Sequence, residues 1–178
     1  MNKATMLVAG ILIAGGTALA DKPINLSILP NVAIYDKDER INGLTLSIWG
    51  ENPQSSLALG IVNGSSGNSA GLSFAFLLNY ADNYKGFMLA PVNYVKGDFL
   101  GWQAGVINYT DGLMKGLQTG FVNYAGKLTG LQIGLLNYAE TAESGVQIGL
   151  INLIPQNAWF SNFPEELAPG MIFVNWRL

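Results

Sequence analysis

The chain contains neither cysteine nor histidine, and these two absences exclude most familiar kinds of catalytic and metal site. Without cysteine there are no disulfides, no thiolate nucleophiles, no iron–sulfur clusters and no cysteine-ligated zinc. Without histidine the chain lacks the usual general base at neutral pH and the commonest metal ligand. The sequence therefore predicts that the protein is not an enzyme, carries no cofactor and holds no metal ion.

Charge is also scarce, since charged residues make up 12% of the 178 residues, roughly half the usual share. Nine basic residues stand against twelve acidic ones, so the net charge is −3. No basic patch is present, and nucleic acid is therefore excluded as a partner. Hydrophobic residues account for 49% of the chain, which excludes a disordered protein.

The first twenty residues have the pattern of a secretory signal peptide. Lys3 supplies a positive start, and residues 6–13 (MLVAGILI) form an apolar run. Ala18 and Ala20 make the small-x-small pattern that precedes a cleavage site. We therefore expect cleavage after Ala20 and export to the periplasm, the outer membrane or the cell surface of a Gram-negative bacterium.

A nine-residue unit recurs eight times between residues 43 and 153, as in GLQIGLLNY at 130–138. The copies begin at residues 43, 56, 71, 86, 101, 116, 130 and 145. The second position is always apolar and the fifth is small in all eight copies. Tyrosine often follows the eighth position, which is asparagine in most copies. Apolar residues alternate along the unit, and this period of two predicts a β-strand in each copy.

Two all-β architectures fit the repeats. In a β-solenoid each repeat is one coil and equivalent positions stack about 4.8 Å apart, so that side-chain amides donate to one neighbour and accept from the other. The predicted asparagine ladder consists of Asn93, Asn108, Asn123, Asn137 and Asn152. The alternative is a small antiparallel outer-membrane β-barrel of about ten strands. We favour the solenoid, because antiparallel strands would place the motif at alternating ends and lose the stacking.

A solenoid needs covered ends, since a bare terminal coil is an exposed strand edge. Residues 21–42 precede the first repeat and are interpreted as an N-terminal cap. Residues 43–153 form the eight-repeat β domain. Residues 154–178 break the pattern with prolines and bulky aromatics and are interpreted as a C-terminal cap. Its segment 170–176 (GMIFVNW) is predicted to be a final strand that folds back across the last coil.

The GxQxGxxN repeats, together with the LSILP sequence at 26–30 and the signal peptide, resemble a family of exported bacterial proteins called surface repeat-containing proteins. The resemblance covers roughly residues 25–153 and implies export and a location in the cell envelope. It carries no catalytic residue to this chain.

The alternation of the repeat predicts a binding face of glutamine, a small residue and an aliphatic residue, flanked by tyrosine. The residues expected to form this face are Gln103, Gln118, Gln132, Gln147, Tyr109, Tyr124 and Tyr138. The small fifth position is interpreted as room for a ligand to approach the backbone. The expected function is a structural or surface-interaction role, with an envelope protein, glycan or lipid as the partner and outer-membrane association possible. The alternative is a small barrel that serves as a channel or a structural membrane protein.

Overall fold

The computed structural model describes residues 22–178, so the predicted signal peptide lies outside the described residues. The chain winds into a β-solenoid whose successive coils pair in parallel. Gly86 pairs with Gly101, Gly101 with Gly116, and Gly116 with Gly130, so each repeat lies on the equivalent positions of the preceding one. The predicted all-β solenoid is confirmed.

Strands dominate the described part of the chain because nearly every coil residue pairs along the stack. The strands are β1 (Ile24–Leu29), β2 (Val32–Ala33), β3 (Leu44–Glu51), β4 (Ser55–Leu89), β5 (Val92–Val95), β6 (Phe99–Ala104), β7 (Ile107–Thr119), β8 (Val122–Leu153) and β9 (Gly170–Arg177). The longest two, β4 and β8, continue through several coils. Residues 22–178 contain no helix long and apolar enough to cross a membrane.

The alternative architecture, an antiparallel barrel, is wrong. Parallel pairing joins β1 to β3, β3 to β4, β4 to β5 and β6, and β7 to β5, β6 and β8. Among the described strands, antiparallel pairing is confined to β1–β2 and β8–β9, at the two ends of the stack. Parallel register places like residues on like residues, which is why the same polar residue can recur at one position of an apolar strand.

Each coil has two sides that enclose a narrow interior. In one coil, β6 forms the first side and the beginning of β7 forms the second. A corner at 105–106 joins the sides at one end. At the other end the chain turns within β7 at 111–113, where its pairing register with β8 shifts. The first side buries Phe99 and Gln103, and the second side buries Asn108 and Thr110. Leu100, Trp102 and Tyr109, which alternate with these positions, therefore face outwards.

The two ends of the stack are closed differently. At the N-terminal end β1 pairs in parallel with β3, so the predicted cap supplies a strand of the stack as well as a cover. At the C-terminal end β9 lies antiparallel on β8, as predicted for the final strand. The buried carboxylate of Glu166 pairs with Arg177 and accepts hydrogen bonds from the Ala158 N–H and the Asn162 side chain, both at 2.9 Å. These bonds hold the irregular segment 154–169 against the last coil.

Candidate interaction surface

The four predicted glutamines form a ladder inside the solenoid and not an exposed face. The Nε2 of Gln118 donates to the Oε1 of Gln103 at 2.7 Å and to the carbonyl of Tyr124 at 3.0 Å. Gln132 donates to Gln118 at 2.7 Å, and Gln147 to Gln132 at 2.8 Å. All four side chains are fully buried. The predicted glutamine platform is therefore wrong, because an amide bonded to its stacked neighbours can be buried without an unmet hydrogen bond along most of the ladder.

The predicted asparagine ladder is confirmed on the opposite side of the interior. The predicted members are Asn93, Asn108, Asn123, Asn137 and Asn152. The Nδ2 of each of the first four donates to the Oδ1 of the next asparagine at 2.8 or 2.9 Å, and its second hydrogen binds a backbone carbonyl of the following coil. Asn79 extends the ladder by donating to Asn93 at 2.9 Å. These amides donate towards the C-terminal coils, whereas the glutamines donate towards the N-terminal ones. The two rows of side-chain dipoles therefore oppose each other.

The small fifth position makes room for the neighbouring coil and not for a ligand. A Cβ added at this position would lie between 2.0 and 2.5 Å from a backbone carbonyl oxygen of the preceding coil. It would also approach a ladder asparagine amide to within 2.9 Å. The residues are Gly105, Gly120, Gly134 and Gly149. The interpretation of this position as a point of ligand approach is wrong, because the solenoid's own backbone fills the space.

The predicted tyrosines form a stacked row on the outer surface of the second side. The ring centroids of Tyr94 and Tyr109 are 5.4 Å apart, those of Tyr109 and Tyr124 are 4.3 Å apart, and those of Tyr124 and Tyr138 are 5.5 Å apart. Tyr94 is exposed and the other three rings are half-buried. Of the predicted binding face, the tyrosines alone remain accessible.

The hydroxyls of three tyrosines, Tyr80, Tyr109 and Tyr124, donate to acidic side chains. Tyr124 donates to the Oε1 of Glu140 at 2.6 Å, and this bond, with some desolvation, raises the pKa of Tyr124. At the first coils, Tyr80 donates to Glu51 at 2.7 Å and accepts from the Trp49 indole at 3.0 Å. Burial is the main cause that raises the pKa of Tyr80 to about 12. The rings thus separate an apolar region of the surface from a charged one.

The replacement Glu140→Gln is expected to lower the pKa of Tyr124, because the neutral amide no longer stabilises the protonated phenol. A raised pKa means that the native state retains a proton that the unfolded chain loses near pH 10. The resulting stabilisation is complete below that pH and is lost as pH rises through the native pKa. An absorbance titration of phenolate formation, compared between wild type and variant, measures the change. Superimposable titrations would contradict the assigned bond.

Large apolar side chains project from the corner of nearly every coil, and we call this row the apolar ridge. It lies at the end of the coil opposite the charged turns. Phe76 is 75% exposed and Phe121 is 61% exposed. The exposed members are Ile48, Trp49, Ile61, Phe76, Leu77, Val106, Ile107, Phe121, Leu135, Leu150 and Ile151. The outer positions of the adjoining first side are also apolar, as Leu72 and Trp102 show.

Charge is confined to the turns at the other end of the coils. Between residues 55 and 153 the charged residues are Asp82, Lys85, Lys96, Asp98, Asp111, Lys115, Lys127, Glu140 and Glu143. The turn carboxylates bond to neighbouring coils, since Asp82 accepts from the Gly67 N–H and Asp98 from the Leu113 N–H, both at 2.8 Å. No group of three or more acidic residues that could hold a metal ion occurs in residues 22–178. The outer surface is therefore divided into a charged edge and an apolar remainder.

The ridge is not among the predicted site residues, because a period of two defines two faces of a strand without saying which one is enclosed. The repeat does carry one signal of the true orientation. The residue two positions before the repeat glycine is apolar in several copies, and Tyr84, Phe99, Met114 and Leu128 at that position are buried. Counting by two from that residue places the glutamine inside and its apolar neighbours outside.

Comparison with known proteins identifies no relatives. No family model matches the chain, and no significant match is found among curated proteins or among solved structures. The resemblance to surface repeat-containing proteins therefore stays a prediction.

Proposed function

We propose that this protein is a non-catalytic, exported protein of the cell envelope that acts by contact through its apolar outer face. One observation carries the proposal: on nearly every coil the corner exposes large apolar side chains, while charge between residues 55 and 153 is restricted to the opposite edge. A ridge of this kind is exposed on a fold whose interior is already complete. It is therefore available for a partner.

The size of this face supports a binding role. Eleven ridge residues, each about half exposed, present on the order of 1,000 Å² of apolar surface, whereas the largest patch on a typical soluble monomer is about 300–600 Å². The area is comparable to the roughly 800 Å² that each partner contributes to a standard interface. Contact with an apolar partner would remove this surface from water, which is the dominant favourable term in association.

The polar interior supports a role without catalysis or transport. Interior amides bond to their stacked neighbours along the two ladders, and acidic residues of the turns bond to tyrosine, lysine or backbone groups. A channel needs an open lumen, whereas Phe99, Gln103, Asn108 and Thr110 meet inside a single coil. Export is supported by the signal-peptide pattern of residues 1–20 and by the family resemblance. Together these point to a structural or adhesive component of the envelope.

Fractionation of the envelope from cells that produce the full chain tests the proposal. The wild type is expected to sediment with the membranes, and the double variant Phe121→Asp with Leu135→Asp is expected to move to the soluble fraction. Both residues are exposed, so the changes spare the interior.

Leu100→Asp is the matched control, because this exposed leucine lies on the charged edge, in register between Lys85 and Lys115. It should fractionate like the wild type. Identical fractionation of all three proteins would refute a role for the apolar face.

A further inference from the structure

We infer that the partner of the apolar ridge is the acyl-chain layer of a lipid membrane, on which the solenoid lies lengthwise without crossing it. This inference rests on the proposed function and names the chemistry of its partner. Four features of the described residues support it: the shape of the face, its backbone bonding, its border and its continuation over the C-terminal cap.

The apolar surface is convex. It includes the outer positions of the first side, such as Leu72 and Trp102, and then continues around the corner through Val106 and Ile107. A rigid partner of ordinary shape would cover one flank and leave the other in water. A fluid phase of acyl chains surrounds both flanks at once, so it removes more of this surface from water.

The backbone N–H groups of the ridge corners at 106–107, 121–122 and 135–136 are paired, even though the chain turns there. The N–H groups of Val106 and Ile107 both donate to the carbonyl of Pro91, at 2.9 and 3.0 Å. Those of Phe121 and Val122 donate to the carbonyl of Val106 at the same two distances. Unpaired backbone groups are strongly disfavoured in hydrocarbon, so paired corners are what a lipid-facing surface requires. A protein partner imposes this requirement less strictly.

The border of the apolar face has the composition of a membrane interface. Stacked tyrosine rings follow the ridge along the second side, and the hydroxyls of Tyr109 and Tyr124 bond to acidic residues of the charged edge. Amphipathic aromatics of this kind are enriched where hydrocarbon meets water. The charged edge mixes lysines with acidic residues, with no excess of positive charge. Binding is therefore expected to be driven by the ridge and to depend little on anionic lipid or salt.

The apolar ridge continues onto the C-terminal cap at Phe173, whose backbone conformation is unfavourable for a bulky residue. Phe173 lies in register with Gly149, is 68% exposed and has a φ of 69°. A bulky residue is unfavourable in this left-handed region, where glycine is the usual choice. Neither backbone geometry nor burial explains a phenylalanine here, whereas insertion into lipid does.

The chain's own N-terminal apolar run is too short to cover the ridge. Residues 6–13 extended would span about 28 Å, whereas eight stacked coils measure roughly 34 Å before the cap is added. A second copy of the chain is a rigid partner, so it would cover one flank of the convex apolar surface and leave the other flank in water. A lipid surface therefore fits the observations best.

Flotation of the full chain with vesicles of pure phosphatidylcholine tests the inference. The wild type is expected to float with the vesicles, and its partition coefficient should change less than about twofold between roughly 0.05 and 0.5 M salt. The double variant Phe121→Asp with Leu135→Asp should bind at least about tenfold more weakly. Leu100→Asp should bind within about twofold of the wild type, since it removes an exposed leucine from the charged edge instead.

Phe173→Gly separates lipid binding from folding. This variant should bind vesicles roughly tenfold more weakly while its melting temperature stays equal to or above that of the wild type, because glycine relieves the backbone. Unchanged binding by Phe173→Gly would show that the cap is not part of the lipid-facing surface.

The remaining outcomes separate the inference from the function on which it rests. Wild type that does not float, but forms oligomers that the double variant dissociates, would show that a second copy covers the ridge. That result would overturn the lipid partner and leave the contact role standing. Vesicle binding that requires anionic lipid, weakens as salt is added and is the same in the ridge variants as in the wild type would show that the ridge does not bind the acyl-chain layer. If the wild type neither floats nor forms oligomers, and the variants fractionate like the wild type, the proposed function is overturned as well.

Discussion

Replacing Asn123 by aspartate is expected to destabilise the protein by about 3 kcal/mol or more at neutral pH. The change is nearly isosteric, so it tests the polarity of the ladder and not its packing. In the native structure the Nδ2 of Asn123 donates to Asn137 at 2.8 Å and to the carbonyl of Ile133 at 3.0 Å. A carboxylate would lose both donors and set its negative oxygens against two acceptors in a buried site. Urea denaturation of both proteins measures the difference.

Acidification should restore part of the lost stability. Burial raises the pKa of the introduced carboxyl group above that of the unfolded chain, so the native state binds the proton more tightly. The deficit is therefore largest at neutral pH and shrinks as pH falls through the native pKa. Asn31→Asp is the control, since Asn31 is exposed and the change should cost less than about 0.5 kcal/mol. A deficit for Asn123→Asp no larger than the control's would show that the ladder does not stabilise the fold.

Replacing Gly116 by alanine is expected to destabilise the protein by about 3 kcal/mol or more, because two separate penalties combine. Gly116 has a φ of +127°, a conformation that L-residues rarely adopt. The added Cβ would lie 2.1 Å from the carbonyl oxygen of Gly101, and this oxygen belongs to backbone that cannot move without shifting a whole coil. Thermal unfolding followed by circular dichroism gives the comparison with wild type.

Gly67→Ala separates the two penalties. Gly67 also has a positive φ, of +59°, but nothing lies within 4 Å of its added Cβ. The backbone penalty alone should cost about 1 kcal/mol. Equal losses at the two glycines would mean that close contact between coils contributes nothing, contrary to the stacking described above.

Apolar and polar side chains are distributed inside the solenoid in the opposite way to the outer surface. Phe99, Met114 and Leu128 fill the part near the charged turns, whereas the glutamine and asparagine ladders lie near the apolar corner. The ladders cross-link the two sides of a coil, since Gln118 reaches the carbonyl of Tyr124. Near the corner, hydrogen bonds of the ladders therefore hold the two sides of the coil together in place of apolar packing. The apolar side chains of the corner are exposed on the outer surface.

The ends of the glutamine ladder show why its length is limited. Gln103 has an unpaired buried Nε2 and Gln147 an unpaired buried Oε1. The preceding coil offers Met88 at the equivalent position, and the following strand offers Asn175 in register without a bond to the ladder. The glutamine ladder thus bears one unmet group at either end, so its net contribution grows with the number of stacked copies.

The sequence by itself determined the repeat, its register and therefore the parallel stack. Equivalent residues recur every 13 to 15 positions with a polar amide in a strand, and this combination makes stacking of like on like the consistent solution. The asparagine ladder, the inward apolar residue before each glycine and the returning final strand could all be predicted from it. The burial of the glutamines could not be predicted, because a period of two defines two faces of a strand without saying which face is enclosed.

The tertiary structure decided which face is inside, and it did so through sterics and hydrogen bonding together. Two sides of a coil approach closely enough for Gln118 to bond across it, Asn123 bonds to a carbonyl of the following coil, and the small residue at the corner leaves room for the neighbouring coil. Amides bonded on all sides lose nothing by burial, whereas they would gain little on the surface. The apolar residues between them must then point outwards, and Phe121 and Leu135 stand exposed for that reason.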